Sequence, residues 1–230
     1  MRPGVVIFDM DDVLCRYDLG QRLRALSRLS GQTPRDIRAA IWDSGFEDDA
    51  DAGAYLDPDH YLAEFGLRIS HVITRDEWVA ARRAAMTPIP EMLDLARRIG
   101  QQARIAIYSN NGPLAKAELH HLFPEAAAIF SERYFSFEFA TKKPDPASFR
   151  RLVNHMPADP ATCCSSTTRN PMCRGRAWRD CSAITSAPPA SSAMKRHNWG
   201  SPYDQAPVSL TCKGGAGIDD IHHCFGSHSL

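Results

Sequence analysis

Two short, uninterrupted apolar runs constrain this chain more than any other feature: Val5 to Phe8, which stops at Asp9, and Ile105 to Tyr108, which stops at Ser109. A strand without polar alternation has no face to give to water, so each run predicts a strand buried on both sides of a parallel sheet. Between them Pro90 opens a helix that carries Met92, Leu95, Ala96 and Ile99 on one side and stops at Gly100. Strand, helix, strand in this order predicts an α/β fold.

The residues from about Leu19 to Met86 read as helical. Leu19, Leu23 and Leu26 fall at helical spacing, Thr33-Pro34 makes an N-cap with proline at the first helical position, and Ile37 and Ile41 share a face. Asp57-Pro58 opens a helix with Tyr61, Leu62 and Phe65, and Thr74 with Glu77 forms a capping box before Trp78 and Val79. No strand is read in this block. Beyond Ser109, a helix is predicted over about Pro113 to Leu122 and a weak strand near Tyr134 to Phe139. A helix from Asp145-Pro146 follows, with Phe149, Leu152, Val153 and Met156 inward.

The chemistry lies where the strands end. An apolar strand running into Asp9-Met10-Asp11 puts two carboxylates on one loop at the sheet's C-terminal edge, where one can attack and the other can move a proton. Asp9-Met10-Asp11-Asp12-Val13-Leu14, Ser109-Asn110 and Lys143-Pro144-Asp145-Pro146 resemble, in order, motifs I, II and III of the haloacid dehalogenase-like (HAD) hydrolase superfamily. The resemblance covers roughly residues 3–162, and the helical block between motifs I and II is similar to the C1 cap of that superfamily's phosphatases. It implies a Rossmann-like parallel sheet, with a core of 1–15 and 88–162 and a cap of 16–87.

The resemblance also implies roles. Asp9 would be the nucleophile that forms an aspartyl-phosphate, and Asp11 would protonate the leaving oxygen and then deprotonate water. An acid two residues after the nucleophile is the pattern of the family's phosphatases. Ser109 and the Asn110 backbone N–H would hold phosphoryl oxygens, and Lys143 would neutralise charge on nucleophile and phosphate together. Mg²⁺ would take Asp9, the Asp11 carbonyl and an acid from a fourth motif. Asp12 stands where many relatives have glycine; Asp tolerates the left-handed backbone better than most residues.

The fourth motif is missing. A strand ending in Asp-Asp should follow the helix after Lys143, and instead come Cys163-Cys164-Ser165-Ser166-Thr167-Thr168. The genetic code offers a test. Those residues can be spelled TGC TGT TCA TCG ACG ACN, and reading from the last base of the first codon gives Leu-Phe-Ile-Asp-Asp. In the same frame Met172-Cys173 forces a valine. The codons for Arg169 to Cys181 permit Ser-Glu-Pro-Asn-Val-Ser-Gly-Ala-Arg-Leu-Ala-Gly-Leu, the small-residue helix that the family carries next. The expectation is a one-base frameshift near Ala161 to Cys164, with 163–230 an out-of-frame, irregular tail.

Composition supports that boundary. Of seven cysteines only Cys15 precedes position 163. Cys163, Cys164, Cys173 and Cys181 lack the paired spacing of a structural zinc site. Asp219-Asp220 lie too far from Lys143 to serve as the missing pair. Over 230 residues, 27 basic and 27 acidic side chains give zero formal charge, which predicts neither a nucleic-acid nor a membrane partner and favours small solutes; the resemblance implies that the solute is a small phosphorylated metabolite. Met1 to Gly4 lead into the first strand without an apolar leader, so the expected location is the cytoplasm. The sequence leaves two functional expectations: a Mg²⁺-dependent phosphomonoester hydrolase, or a degenerate, non-catalytic HAD-like protein that lacks the fourth motif.

Overall fold

The computed structural model of the chain describes residues 5–156 and the strand backbones at 163–166, 183–186 and 208–210. Strand β1 (Val5–Phe8) leads through a tight loop to β2 (Cys15–Tyr17). Five helices follow: α1 (Leu19–Ser30), α2 (Pro34–Arg38), α3 (Phe46–Asp51), α4 (Pro58–Arg68) and α5 (Arg75–Arg83), with a π-helical turn at Ala39–Asp43. Strand β3 (Met86–Pro88) returns the chain to α6 (Pro90–Gly100) and β4 (Arg104–Ser109). Then come α7 (Pro113–Ala117), α8 (Leu119–Leu122), α9 (Pro124–Ile129), β5 (Glu132–Phe135), a 3₁₀ turn at Ser136–Phe139 and α10 (Pro146–His155). The remaining strands are β6 (Cys163–Ser166), β7 (Ala183–Ser186) and β8 (Val208–Leu210).

The sheet order is β5-β4-β1-β6-β7-β8, parallel except for the β7–β8 pair. All four residues of β1 are buried, and they alternate between two packing layers as the pleat requires. Val6 and Phe8 pack with the layer that includes Met92, Ala96, Ile107, Leu122 and Phe130, whereas Val5 and Ile7 pack with Tyr108, Leu152, Val153 and Met156. Helices thus cover both faces, which is why β1 and β4 carry no polar alternation.

Local signals are satisfied where sequence chemistry is strong. Asp18 caps α1 by accepting from the Gln21 N–H, and Gly31 closes it with φ 74°. Thr74 and Glu77 form the capping box of α5, and Asp145 caps α10 through the Ala147 N–H. Other expectations need correction. The block between β1 and α6 is not purely helical: β2 and β3 pair antiparallel as a ribbon at its two ends, so positions 16–17 and 86–87 belong to strands. The ribbon escapes the sequence signal because each strand is three residues long. The single helix expected over 113–122 is two short helices, and the weak strand near 134–139 is β5 running into a 3₁₀ turn.

The tail, expected to be irregular, contributes three strands. Strand β6 is parallel to β1 in the register Val5↔Cys163, Val6↔Cys164, Ile7↔Ser165, so Cys-Cys-Ser-Ser occupies the middle of the sheet. Cys173, Cys181 and Asp219-Asp220 lie outside the described residues. Among the described residues no helix is long and apolar enough to cross a membrane.

The helical segment is seated on the core beside the C-terminal ends of β1 and β4. Ser136 Oγ donates to the Asp51 carbonyl at 2.7 Å, Lys142 pairs with Asp48 at 2.5 Å, and Arg75 pairs with Glu118 at 2.8 Å. Gly53, at φ 93°, lets the chain after α3 pass the 3₁₀ turn: a Cβ there would lie 2.7 Å from the Phe137 carbonyl oxygen.

Candidate active site

The loop after β1 is a turn built on one carbonyl. Met10 O accepts from the N–H groups of Val13, Leu14 and Cys15, which folds the chain back at once and holds Asp9 and Asp11 at the sheet edge. Asp12 takes φ 61°, and its Oδ1 accepts from the Tyr17 N–H at 3.1 Å. The left-handed backbone foreseen for Asp12 is therefore present, secured by its own side chain.

Asp9 Oδ1 accepts from the Met10 N–H at 2.9 Å, and Oδ2 lies 2.7 Å from Lys143 Nζ. Burial pushes the Asp9 carboxyl up from its ordinary value, and Lys143 beside it opposes that rise. Lys143 is held from two directions: its Nζ donates to the Tyr108 carbonyl at 2.9 Å and sits 5.2 Å from the centre of the Tyr108 ring. Its backbone is clamped by Asn110, whose Nδ2 donates to Lys143 O at 2.7 Å while its Oδ1 accepts from Lys143 N at 2.9 Å.

Asn110 thus ties the loop after β4 to the loop before α10, so its side chain is occupied with Lys143. Asn110→Ala removes both bonds and is expected to destabilise the fold by about 1–3 kcal/mol, read as a lower denaturant midpoint with an unchanged m-value.

Ser109, Asp9, Asp11, Asn110 and Lys143, all singled out in the sequence, meet at one sheet edge. Two further residues join them. Asn111 Nδ2 donates to Ser109 Oγ at 2.8 Å and lies 3.4 Å from Asp11 Oδ2, which leaves the Ser109 hydroxyl proton for another acceptor. Its signal was in the sequence, as the second asparagine of Ser109-Asn110-Asn111. Arg82, from α5, donates from Nη2 to Asp11 Oδ2 at 2.8 Å. No local pattern marks it, because Arg82 and Asp11 are brought together by the β2–β3 ribbon and the helices between.

Asp51, at the C-terminal end of α3, completes the electrostatic surroundings. Burial, with Glu47 and Asp11 nearby, pushes its carboxyl well above the ordinary value, against Arg82 and Lys142. A raised folded value means that the linked stability is complete below the unfolded value of about 3.9 and is lost as pH rises through the folded one. Asp51→Asn should therefore raise the thermal midpoint at pH 7 and flatten its decline as pH rises above about 4; melting curves of both proteins from that pH to neutrality test it.

The oxygen donors at this edge suit a hard cation. Asp9 could offer a carboxylate and Asp11 a main-chain carbonyl to Mg²⁺ shared with a phosphate, since that ion is commonly bound through one or two carboxylates plus substrate oxygens. They make no all-protein cage: among the described residues no group of three or more His, Cys, Asp or Glu is arranged to hold a metal.

No family model matches the chain, and no curated protein matches it. Solved structures do. A HAD family enzyme from Bacteroides thetaiotaomicron superposes with a TM-score of 0.61 at 16% identity, covering 76% of this chain and 88% of that one. The chain has a HAD-like fold. The wild-type form of that HAD enzyme, solved with magnesium and inorganic phosphate, gives a TM-score of 0.58 at 15% identity over 75% of this chain and 88% of that one. A predicted HAD-like family hydrolase from Porphyromonas gingivalis gives 0.58 at 16% over 77% and 85%. The HAD-like sheet accounts for the site's placement, because ligands of open α/β sheets bind at the carboxyl ends of the strands, where Asp9 and Ser109 lie.

Proposed function

We propose that this chain is built as a Mg²⁺-dependent phosphomonoester hydrolase of the HAD type, acting in the cytoplasm on a small phosphorylated metabolite, without a nucleic-acid or membrane partner. The observation that carries the proposal is Lys143 Nζ lying 2.7 Å from Asp9 Oδ2, with Asp11 on the same loop. That is a carboxylate held beside a fixed cation, with a second carboxylate two residues on. The magnesium and phosphate bound by the B. thetaiotaomicron enzyme support the same chemistry here.

In the first step an Asp9 carboxylate oxygen attacks phosphorus and the ester P–O bond breaks. Asp11 gives its proton to the leaving oxygen. In the second step water attacks phosphorus, Asp11 takes a water proton, and the Asp9–phosphorus bond breaks to release phosphate. Lys143 holds Asp9 in place and faces the charge that grows on the phosphoryl oxygens, and the Ser109 hydroxyl donates to one of them. Mg²⁺, held by Asp9 and the Asp11 carbonyl, would supply further neutralisation of phosphoryl charge.

A panel of small phosphate monoesters and 2-haloacids tests the assignment. Phosphate release is expected, and halide release with no phosphate release would contradict it. One observation favours a second reading, a degenerate HAD-like protein without turnover: strand β6, beside β1, carries Cys-Cys-Ser-Ser and no acid. Thermal protection by inorganic phosphate without hydrolysis of any ester would favour that reading.

A further inference from the structure

We propose that Arg82 is the positioning residue for Asp11, brought to the core by the last helix of the helical segment, so that Asp11 is aimed only while that segment is seated. The proposal rests on the reading of Asp11 as the proton-transfer group. Among the described residues, three groups contact the Asp11 carboxylate. Asn111 Nδ2 lies 3.4 Å from Oδ2, and Cys15 Sγ, a weak donor, lies 3.7 Å from Oδ1. The Arg82 contact at 2.8 Å is the short, charge-assisted one.

Arg82 is itself fixed. Its guanidinium lies 5.0 Å from the centre of the Tyr17 ring on β2. The Tyr17 hydroxyl accepts from Arg22 Nη1 at 3.2 Å. Arg22, only 2% exposed, has its guanidinium within 5.1–5.6 Å of the ring centres of Trp42, Phe65 and Trp78 and 3.3 Å from Glu47. A continuous set of contacts therefore runs from the interior of the helical segment, through the ribbon, to the Asp11 carboxylate.

Stability alone does not account for this arrangement. A buried ion pair is weak evidence of stabilisation, since desolvation offsets much of the attraction. Arg82 Nε is also buried without a hydrogen-bond partner among the described residues, a cost that a purely structural side chain need not carry. Nor is a guanidinium a proton carrier at neutral pH. What remains is geometry: a rigid donor that holds one carboxylate oxygen.

The test is a double-mutant cycle on the 230-residue chain with Arg82→Met, Asp11→Asn and the double variant, plus Arg82→Lys. With p-nitrophenyl phosphate and Mg²⁺, Arg82→Met is expected to lower kcat by about 10²-fold while KM stays within about threefold, as for a misaimed group. Arg82→Lys should recover part of kcat, and the double variant should lose no more than Asp11→Asn alone. Thermal midpoints provide a readout that needs no turnover: the two substitutions should be non-additive. Additive midpoints, or an equal kcat loss from Arg82→Met in the Asp11→Asn background, would overturn the proposal. If the parent and Asp9→Asn release phosphate equally, the hydrolase reading fails, and the midpoints alone decide whether Arg82 holds Asp11.

Discussion

Asp9→Asn should lower phosphate release by at least about 10⁴-fold relative to the parent chain, the scale on which loss of a nucleophile acts. The amide is nearly isosteric and can still accept from the Met10 N–H, which the carboxylate does at 2.9 Å, so the loop has little reason to move. Lys143 keeps its bond to the Tyr108 carbonyl and the Asn110 clamp on its backbone. What disappears is the nucleophilic oxygen. A rate measurement paired with circular dichroism separates the two effects: the spectrum should be retained while turnover is lost. If Asp11 were the nucleophile instead, Asp9→Asn would leave a substantial rate.

Restoring the reading frame between codons 161 and 164 should change both stability and turnover. Strand β6 lies between β1 and β7, where a parallel sheet asks for a nearly continuous apolar run, and it holds Cys-Cys-Ser-Ser. We propose that the tail is an out-of-frame translation and that the strand meant for this place is Leu-Phe-Ile, followed by Asp-Asp. Burying three large apolar side chains there contributes on the order of 5 kcal/mol, which corresponds to a thermal midpoint higher by about 10 °C or more in a chain of this size.

The same change would add carboxylates at the right edge. Because β6 runs parallel to β1 with Ile7 opposite Ser165, the C-terminal end of β6 lies at the edge where the chain leaves β1 for Asp9. An acid pair following that strand would complete the oxygen set for Mg²⁺, and turnover should rise by about 10²- to 10⁴-fold. Re-reading the coding DNA across codons 158 to 185 and expressing both frames checks the claim. Equal midpoints and equal rates for the two chains would defeat it.

The sheet was legible because burial on both faces leaves a pattern that a short window can show: Val5 to Phe8 has no polar residue to hide. That Asp9, Asp11, Ser109, Asn110 and Lys143 converge on one edge was legible because each lies within three residues of a strand's end or a helix's start, where local chemistry and position coincide. The role of the Asn110 side chain was not, since a bond to the Lys143 backbone, 33 residues away, depends on how two loops meet. Arg82 is the extreme case, 71 residues from Asp11, on a helix whose sequence shows only ordinary amphipathic spacing. The β2–β3 ribbon was missed because three-residue strands carry too little alternation to stand out from the helices they flank.

The central claim is that the edge holding Asp9, Asp11 and Lys143 is a phosphomonoesterase centre, and the most direct test is phosphate release from small monoesters by the frame-restored chain, with and without Mg²⁺, beside its Asp9→Asn variant. The account predicts hydrolysis that needs both the cation and Asp9. No hydrolysis by a well-folded restored chain, or hydrolysis that survives Asp9→Asn, would contradict it.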